Sequence, residues 1–167
     1  MLTAQRLREV LDYSPETGAF RWRIDTGKRR RVGNVAGHAA KGGANDGYVF
    51  IRIDRRLYRA HRLAWLYVHG VWPEHEIDHR DLNRANNRIG NLRPATRQQN
   101  AANSPLQRNN TSGRKGVRWW SAREKWRAEI HLLGRSKHLG LYATFEEAVE
   151  ARRNAEVLHF GQFARVA

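Results

Sequence analysis

Apolar residues recur along the chain with two different periods, and these periods divide it into short elements. Leu7, Val10 and Leu11 recur at helical spacing, which predicts an amphipathic helix within residues 3–12. Residues 48–59 alternate strictly on either side of a short polar turn, which is typical of a β-hairpin. The first third of the chain is therefore predicted to mix a short helix with antiparallel strands.

A second helix is predicted directly after the hairpin. Leu63, Leu66 and Tyr67 lie at helical spacing within residues 60–69, and Gly70 follows where a left-handed helix cap belongs. This segment also contains His61, for which a structural role is the simpler interpretation.

Residues 28–47 are basic at first and then rich in Gly and Ala, without any apolar period. This pattern predicts a long loop. The four consecutive cations at 28–31 usually form a solvated surface, but in a chain with so many cations they favour contact with a phosphate backbone.

The stretch from Glu76 to Asn103 predicts the order strand, loop, strand, helix. Short apolar runs around Ile77 and Leu92 indicate the strands, and Pro94 is predicted to end the second one. The loop between them is rich in Asn, Asp and Arg, which bind their own backbone in tight turns. A capping box formed by Thr96 and the residue three positions later predicts a helix that begins at about residue 97.

Residues 104–113 are polar and contain Pro, Ser, Asn and Gly, which predicts a linker. Residues 114–167 then predict three short strands followed by one helix that begins with a second capping box. In the middle strand an apolar set alternates with a charged set, so one face is predicted to pack on the helix and the other to face solvent. The predicted buried face of the helix consists of Phe145, Ala148, Val149, Ala155 and Leu158.

Composition narrows the choice of partner. The 167 residues include 31 Lys and Arg against 16 Asp and Glu, a formal net charge of +15, which favours a polyanionic partner such as nucleic acid. The absence of Cys excludes disulfides and Cys-based zinc sites. No long apolar run or signal-peptide core is present, so we expect a cytoplasmic protein without membrane contact.

Four residues within 76–103 carry the candidate chemistry. Asp78 and His79 are adjacent at the end of the first predicted strand, Asn91 lies beside the second, and Asn100 lies one turn into the helix. A carboxylate and a side-chain amide supply the oxygen ligands that hard divalent cations prefer, and a histidine can accept a proton near neutral pH. This combination is typical of metal-assisted phosphodiester hydrolysis.

At this spacing the stretch resembles the HNH motif of ββα-metal nucleases, in the variant of phage and homing endonucleases that has Asn in place of the last His. The resemblance implies that His79 is the general base and that Asp78 and Asn100 bind one Mg²⁺ or Mn²⁺ ion per active site. It also implies that Asn91 ties down the loop and orients the base. A phage or prophage gene expressed in a bacterial host is the implied setting.

The C-terminal third resembles the Apetala-two, or ethylene-response-factor, DNA-binding domain. The resemblance rests on Gly116-Val117-Arg118, on KWRAEI at 125–130 and on HLGLY at 138–142. In that family the three-stranded sheet lies in the major groove of DNA, so its exposed face is implied to contact bases and phosphates. The implied DNA-binding residues are Lys115, Arg118, Trp120, Arg123, Lys125, Arg127 and His131.

Together these observations predict an α+β protein in which a ββα-metal nuclease core, preceded by a helix and hairpin region, is linked to a small three-stranded antiparallel sheet packed on one helix. The predicted boundaries are 1–46 for a basic N-terminal region, 47–103 for the nuclease core, 104–113 for the linker and 114–167 for the DNA-binding domain. The predicted function is cleavage of double-stranded DNA.

Several alternatives remain open from the sequence. A monomer is expected to nick one strand, whereas a double-strand break needs a homodimer or two sequential events. A zinc site involving His75 and His79 is a weaker alternative to magnesium, because strand geometry would not present the two imidazoles together. A non-catalytic DNA-binding regulator or phage packaging accessory on the same fold is the alternative function.

Overall fold

A computed structural model describes residues 1–25, 31–104, 106 and 109–164 of the protein. The chain divides into two compact units, Met1–Ala95 and Thr96–Ala167. Both combine helices with small antiparallel sheets of two or three strands, which agrees with the predicted α+β class. No described helix is long and apolar enough to cross a membrane.

Among its described residues, the first unit contains two helices, three small sheets and two short 3-10 turns. The helices and strands are α1 (Ala4–Val10), β1 (Leu11–Tyr13), β2 (Phe20–Trp22), β3 (His38–Ala39), β4 (Val49–Ile53), β5 (Arg56–Arg59), α2 (Ala60–His69), β6 (Glu76–His79) and β7 (Leu92–Ala95). The predicted hairpin at 48–59 and the helix at 60–69 are confirmed, and Gly70 adopts the expected left-handed conformation with φ of 78°.

Helix α1 is shorter than the periodic pattern indicates. Leu11 has extended backbone angles and pairs with Trp22 across the β1–β2 sheet, so the chain leaves the helix after Val10. Leu7, Val10 and Leu11 are nevertheless all buried in the core of the first unit. Helical spacing predicted which residues are buried, while pairing with a distant strand determined where the helix ends.

The loop predicted at 28–47 contains more structure than its composition indicates. β3 pairs with β4, and a 3-10 turn forms at Gly43–Asn45. Three residues of the predicted cationic run, 28–30, lie outside the described part of the chain.

The β6–β7 pair forms the sheet that carries the candidate chemistry. Ile77 lies opposite Pro94, so Pro94 does not end the second strand, which continues to Ala95. A two-stranded sheet consists of edge strands, where a residue without an N–H group is tolerated. Asn91 belongs to a 3-10 turn at Ile89–Asn91, and the strand begins at the next residue.

The second unit consists of α3 (Arg97–Asn103), β8 (Val117–Trp120), β9 (Lys125–Leu132), β10 (Arg135–Tyr142) and α4 (Phe145–Phe160). Both predicted capping boxes are present, at Thr96 with Gln99 and at Thr144 with Glu147. The three strands form an antiparallel sheet in the order β10–β9–β8, and α4 packs on one face of it through Ala148.

The inner face of α4 is more polar than predicted. Leu158 is 79% exposed, so its assignment to the buried face is wrong, whereas Arg152 and Glu156 are buried. Arg152 donates to a carboxylate oxygen of Glu156 at 3.0 Å and to the carbonyl oxygen of Glu129 at 2.6 Å, and Arg114 pairs with Glu156 at 2.9 Å. A buried ion-pair network occupies space that the apolar pattern assigned to aliphatic residues.

Lys115 connects the start of the sheet to the end of α3. Its ammonium group donates to the carbonyl oxygens of Ala101, Ala102 and Ser104 at 3.2, 3.1 and 2.8 Å, and to the Ser104 hydroxyl at 3.0 Å. Cations are favourable at this end of a helix, where backbone carbonyls lack intrahelical partners.

Candidate functional site

His79 ends β6 and is buried, with 4% of its surface exposed. Its ring centroid lies 5.0 Å from that of His61 on α2, in an edge-to-face arrangement. The Tyr48 ring, just before β4, lies 5.9 Å from His79 and 5.2 Å from His61. The hairpin, the helix and the β6 strand thus each contribute one ring to a cluster that limits water access to the imidazole.

Burial is the main reason why the pKa of His79 lies below its usual value. Arg84 lowers this pKa further, whereas the Asn87 side chain and the carboxylates of Asp81 and Asp78 oppose the shift. The same cluster lowers the pKa of His61 to about 3, mainly through burial and then through His79. Both imidazoles are therefore neutral at pH 7, the state in which a histidine accepts a proton.

Asp78, which precedes His79 in the sequence, is also buried. Its side chain is held by Arg93, which lies opposite it in the β6–β7 register. Arg93 approaches Oδ2 of the carboxylate through Nε and through a terminal nitrogen, both at 2.8 Å. Adjacent strand residues ordinarily point to opposite faces, but here both faces of the strand end are covered. This pairing fixes the rotamer of the Asp78 side chain.

Asn91 fastens the loop that follows His79. Its Oδ1 accepts from the Asp81 backbone N–H at 3.2 Å, and its Nδ2 donates to Oδ1 of Asp81 and to the Asn86 carbonyl oxygen, both at 2.9 Å. Asn86 in turn donates to the second carboxylate oxygen of Asp81 at 2.6 Å. The side-chain amide of Asn91 therefore organises the loop that follows His79.

Asn87 lies in the loop whose Asn residues were predicted to bind their own backbone, and its contacts extend beyond that loop. It is buried, and its backbone carbonyl oxygen accepts from the Tyr13 hydroxyl at 2.7 Å. A hydrogen bond with its side chain raises the pKa of His79 and so opposes the effect of burial. Asn83 and Asn86 match the prediction, since their side-chain oxygens accept from backbone N–H groups two residues ahead. Nothing in the sequence distinguished Asn87 from these neighbours except its position next to the apolar run.

Two arginines that the sequence did not single out lie over the Tyr48 ring. The guanidinium carbon of Arg84 is 4.7 Å from the ring centroid, and that of Arg59 is 5.0 Å from it. Arg84 donates to the carbonyl oxygens of Ala44 and Asp46, at 3.4 and 3.1 Å. These contacts place two cations next to the ring cluster that contains His79.

The last residue of the motif, Asn100, lies in the second unit, on α3, where its backbone N–H donates to the Thr96 carbonyl oxygen at 2.9 Å. Within the described residues, no three His, Asp or Glu side chains gather closely enough to hold a metal ion. A divalent ion would therefore depend on amide, water or substrate oxygens in addition to carboxylates.

The second unit presents a separate cationic surface on the outer face of its sheet. The guanidinium groups of Arg127 and Arg123 lie 5.6 and 5.9 Å from the Trp120 ring. Glu129 lies between Arg118 and Arg127, at 3.8 and 3.3 Å, and partly neutralises them. Lys125 and His131 are exposed, whereas the Lys115 ammonium group is bound at the end of α3.

Comparison with known proteins bears on the first of these sites. Residues 58–102 match the HNH endonuclease family, and this stretch includes all four motif residues. Over 108 residues the chain is 35% identical to Protein 3.8 of Escherichia phage T7, an alignment that covers 64% of this chain and 88% of the phage protein. The chain belongs to the family of that phage protein. No solved structure matches it.

Residues 58–102 are thus an HNH endonuclease domain, which runs from β5 into α3 and implies DNA as the substrate. HNH nucleases are generally metal-dependent. Tyr48 precedes the HNH domain in sequence although its ring packs against His79 within the first unit. The sheet of the second unit lies beyond the HNH domain.

Proposed function

We propose that the protein is a metal-dependent DNA endonuclease in which His79 is the general base. The observation that carries this proposal is the state of His79 within the HNH domain: it is buried, and burial lowers its pKa. A neutral imidazole at the end of a strand, next to a carboxylate held by arginine, is suited to deprotonating water at neutral pH.

In this reaction His79 takes a proton from a water molecule, and the resulting hydroxide attacks phosphorus in line with the 3′ oxygen, which leaves. The imidazolium that forms is stabilised by the carboxylates of Asp81 and Asp78, which raise the pKa of His79. Asn91 holds Asp81 in place through the loop hydrogen bonds. The loop thereby stabilises the charge that appears on the base.

The donor set fits a hard cation. Asp78 offers an oriented carboxylate, and in the HNH motif Asn100 supplies the second oxygen ligand, a role that rests on the motif alone. When bound, one Mg²⁺ or Mn²⁺ ion supplies positive charge to the phosphate and the leaving oxygen. Zinc is disfavoured, since His75 is exposed while His79 is buried.

The sheet of the second unit would hold the enzyme on DNA in the manner of an Apetala-two domain. Support comes from the cations around Trp120 and from the three-stranded antiparallel sheet on which they lie, the architecture that the resemblance implies. Arginine on such a face can bind guanine edges or phosphates. The proposed contact residues are Arg118, Trp120, Arg123, Lys125, Arg127 and His131. Lys115 is omitted because its ammonium group serves as a helix cap.

A plasmid assay tests the cleavage proposal. Supercoiled DNA with Mg²⁺ should be nicked or linearised by the wild-type protein, and chelator should stop the reaction. His79→Ala should lose cleavage by at least a hundredfold while it retains DNA binding, and His75→Ala, an exposed histidine four residues away, should cut like wild type. Wild-type cleavage by His79→Ala would refute the assignment.

The products of the plasmid assay also report the oligomeric state of the enzyme and test the alternative function. Relaxed circles indicate a monomer that nicks. Linear product that forms without relaxed circles indicates a homodimer, and linear product that forms after them indicates two sequential nicks. DNA binding without any cleavage by the wild-type protein would instead support a non-catalytic regulator or packaging accessory.

A further inference from the structure

The rim of the ring cluster carries two arginines whose charges the fold leaves close together. Arg59 and Arg84 both lie over the Tyr48 ring, and within the described residues neither forms an ion pair with a carboxylate. Two like charges beside one ring repel each other, and an anion placed between them would relieve the repulsion. We call these three residues the arginine–tyrosine stack.

The arginines are held in place by neutral groups. The Asn45 side-chain oxygen accepts from Arg59 at 2.9 Å, and the carbonyl oxygens of Ala44 and Asp46 accept from Arg84. The Asp46 carboxylate is engaged elsewhere, since its Oδ1 accepts from the Gly42 backbone N–H at 2.7 Å. The stack is therefore preorganised but keeps its positive charge.

The start of helix α2 adds to the positive electrostatic potential at Arg59. The helix begins directly after Arg59, its first turn contains no acidic residue, and the Arg59 side chain makes no capping hydrogen bond. The positive end of the helix dipole therefore lies at Arg59, and no carboxylate of the first turn offsets it.

The stack adjoins the proposed base. The Tyr48 ring contacts both histidines, at 5.2 Å from the His61 ring and 5.9 Å from the His79 ring, and Arg84 lies 4.7 Å from the same Tyr48 ring. Arg59 is exposed and Arg84 and Tyr48 are half-buried, so the guanidinium groups can reach a ligand that approaches His79 from solvent.

We propose that the arginine–tyrosine stack binds a phosphate of the DNA backbone next to the scissile one and so positions the strand over His79. Guanidinium groups bind phosphate oxygens through paired N–H donors, and a tyrosine face keeps them oriented. This inference rests on the proposed nuclease function. It makes Arg59 and Arg84 positioning residues, and Tyr48 the support on which they lie.

Salt dependence of DNA binding provides the test. In the full-length protein carrying His79→Ala, so that DNA stays intact, affinity for a duplex is measured over a series of salt concentrations. Arg59→Ala and Arg84→Ala should each lower the slope of log affinity against log salt by about 0.9, the value for one phosphate contact. Arg52→Ala is the matched control, because it removes an exposed arginine from β4 of the same hairpin and should leave the slope unchanged.

Cleavage supplies the second measurement, now with His79 intact. We expect kcat/KM to fall at least tenfold in Arg59→Ala and Arg84→Ala but not in Arg52→Ala, with the thermal unfolding midpoint of each variant recorded as a check on folding. Arg84→Lys, which keeps the charge, should restore the slope even if Arg84→Ala proves unstable. Tyr48→Leu should reduce kcat/KM, whereas Tyr48→Phe should retain it.

The two proposals fail in different ways. If wild type cuts DNA but the two arginine variants bind and cut like Arg52→Ala, the stack is refuted and the nuclease stands. If wild type does not cut but the slopes differ as expected, the stack is a phosphate-binding site and the nuclease is refuted.

Discussion

Arg93 lies directly opposite Asp78 across the β6–β7 pair, and both its Nε and a terminal nitrogen reach the same carboxylate oxygen at 2.8 Å. The two side chains are only 7% and 4% exposed. Removing charges from water to this extent is costly unless each has its partner. The pair therefore orients Asp78 and makes the strand end depend on Arg93.

Substituting Arg93 should lower the free energy of unfolding more than substituting any exposed arginine. Arg93→Met leaves the Asp78 carboxylate buried without its arginine, and we expect a loss of about 3–5 kcal/mol of unfolding free energy. Urea denaturation at pH 7 measures it, with Arg52→Met as the exposed control. The double variant Arg93→Met with Asp78→Asn should recover part of the loss; no recovery would mean that Arg93 contributes by packing rather than by charge.

Protonation of the ring cluster should make the first unit acid-sensitive. The pKa of His61 is about 3 in the folded protein against 6.5 in the unfolded chain, so between these values the unfolded chain binds more protons. The stabilisation that comes from keeping His61 neutral is fully present above pH 6.5. As pH decreases through this window, the free energy of unfolding falls by at most about 1.4 kcal/mol per pH unit for one histidine.

His61→Leu should remove the contribution of His61 to the slope of unfolding free energy against pH. His79, whose pKa is also lowered, should account for part of the slope that remains. Urea midpoints between pH 5 and pH 7 measure the effect. His75→Leu, at an exposed position, should leave the slope as in wild type. An unchanged slope in His61→Leu would show that His61 is not kept neutral by burial.

Loss of the Asn91 amide should slow cleavage more than it destabilises the fold. Three hydrogen bonds disappear in Asn91→Ala, with an expected cost of roughly 1–3 kcal/mol. Because the loop then no longer holds Asp81 near the base, we expect kcat to fall roughly ten- to hundredfold. Asn83→Ala, which removes a brace of the same loop, is the control for the comparison of kcat with urea stability. Equal effects on kcat would argue against a special role for Asn91.

The sheet of the second unit should contribute affinity without contributing to chemistry. Arg118 is 59% exposed and only weakly paired with Glu129 at 3.8 Å, so Arg118→Ala should weaken DNA binding roughly three- to tenfold and lower the salt slope by about 0.9. Cleavage at saturating DNA should stay at the wild-type rate. Arg153→Ala removes an exposed cation from α4 and should change neither quantity. Reversed behaviour of the two variants would move the DNA-binding surface from the sheet to the helix.

Local signals in the sequence predicted most of the fold. Both capping boxes, the Gly70 helix end, the hairpin at 48–59 and the three strands before α4 depend on residues close together in the chain, and all are present. Errors arose where a distant segment competed, as when Leu11 paired with Trp22 and ended α1 early.

The candidate site was predictable only in part, for the same reason. Asp78, His79 and Asn91 follow a spacing that can be read along the chain. Tyr48 reaches His79 only because the hairpin folds against β6, and no spacing encodes that contact. Arg93 could have been found by pairing the two apolar runs, since the resulting register places it opposite Asp78.

The Lys115 contacts bear on how the protein can be re-engineered. Ser104 begins the segment predicted as a linker and Lys115 follows its end, yet the Lys115 ammonium group donates to the Ser104 carbonyl oxygen at 2.8 Å. The two ends of the segment are therefore held together within the second unit. Lengthening a flexible spacer changes how far apart the segments that it joins can lie. Doubling the length of a loop whose ends are held together costs only about 0.6 kcal/mol and leaves those ends in place. Extra glycines and serines there should therefore leave the Lys115 contacts at the end of α3 in place, and the segment is a suitable place to insert a tag or a reporter.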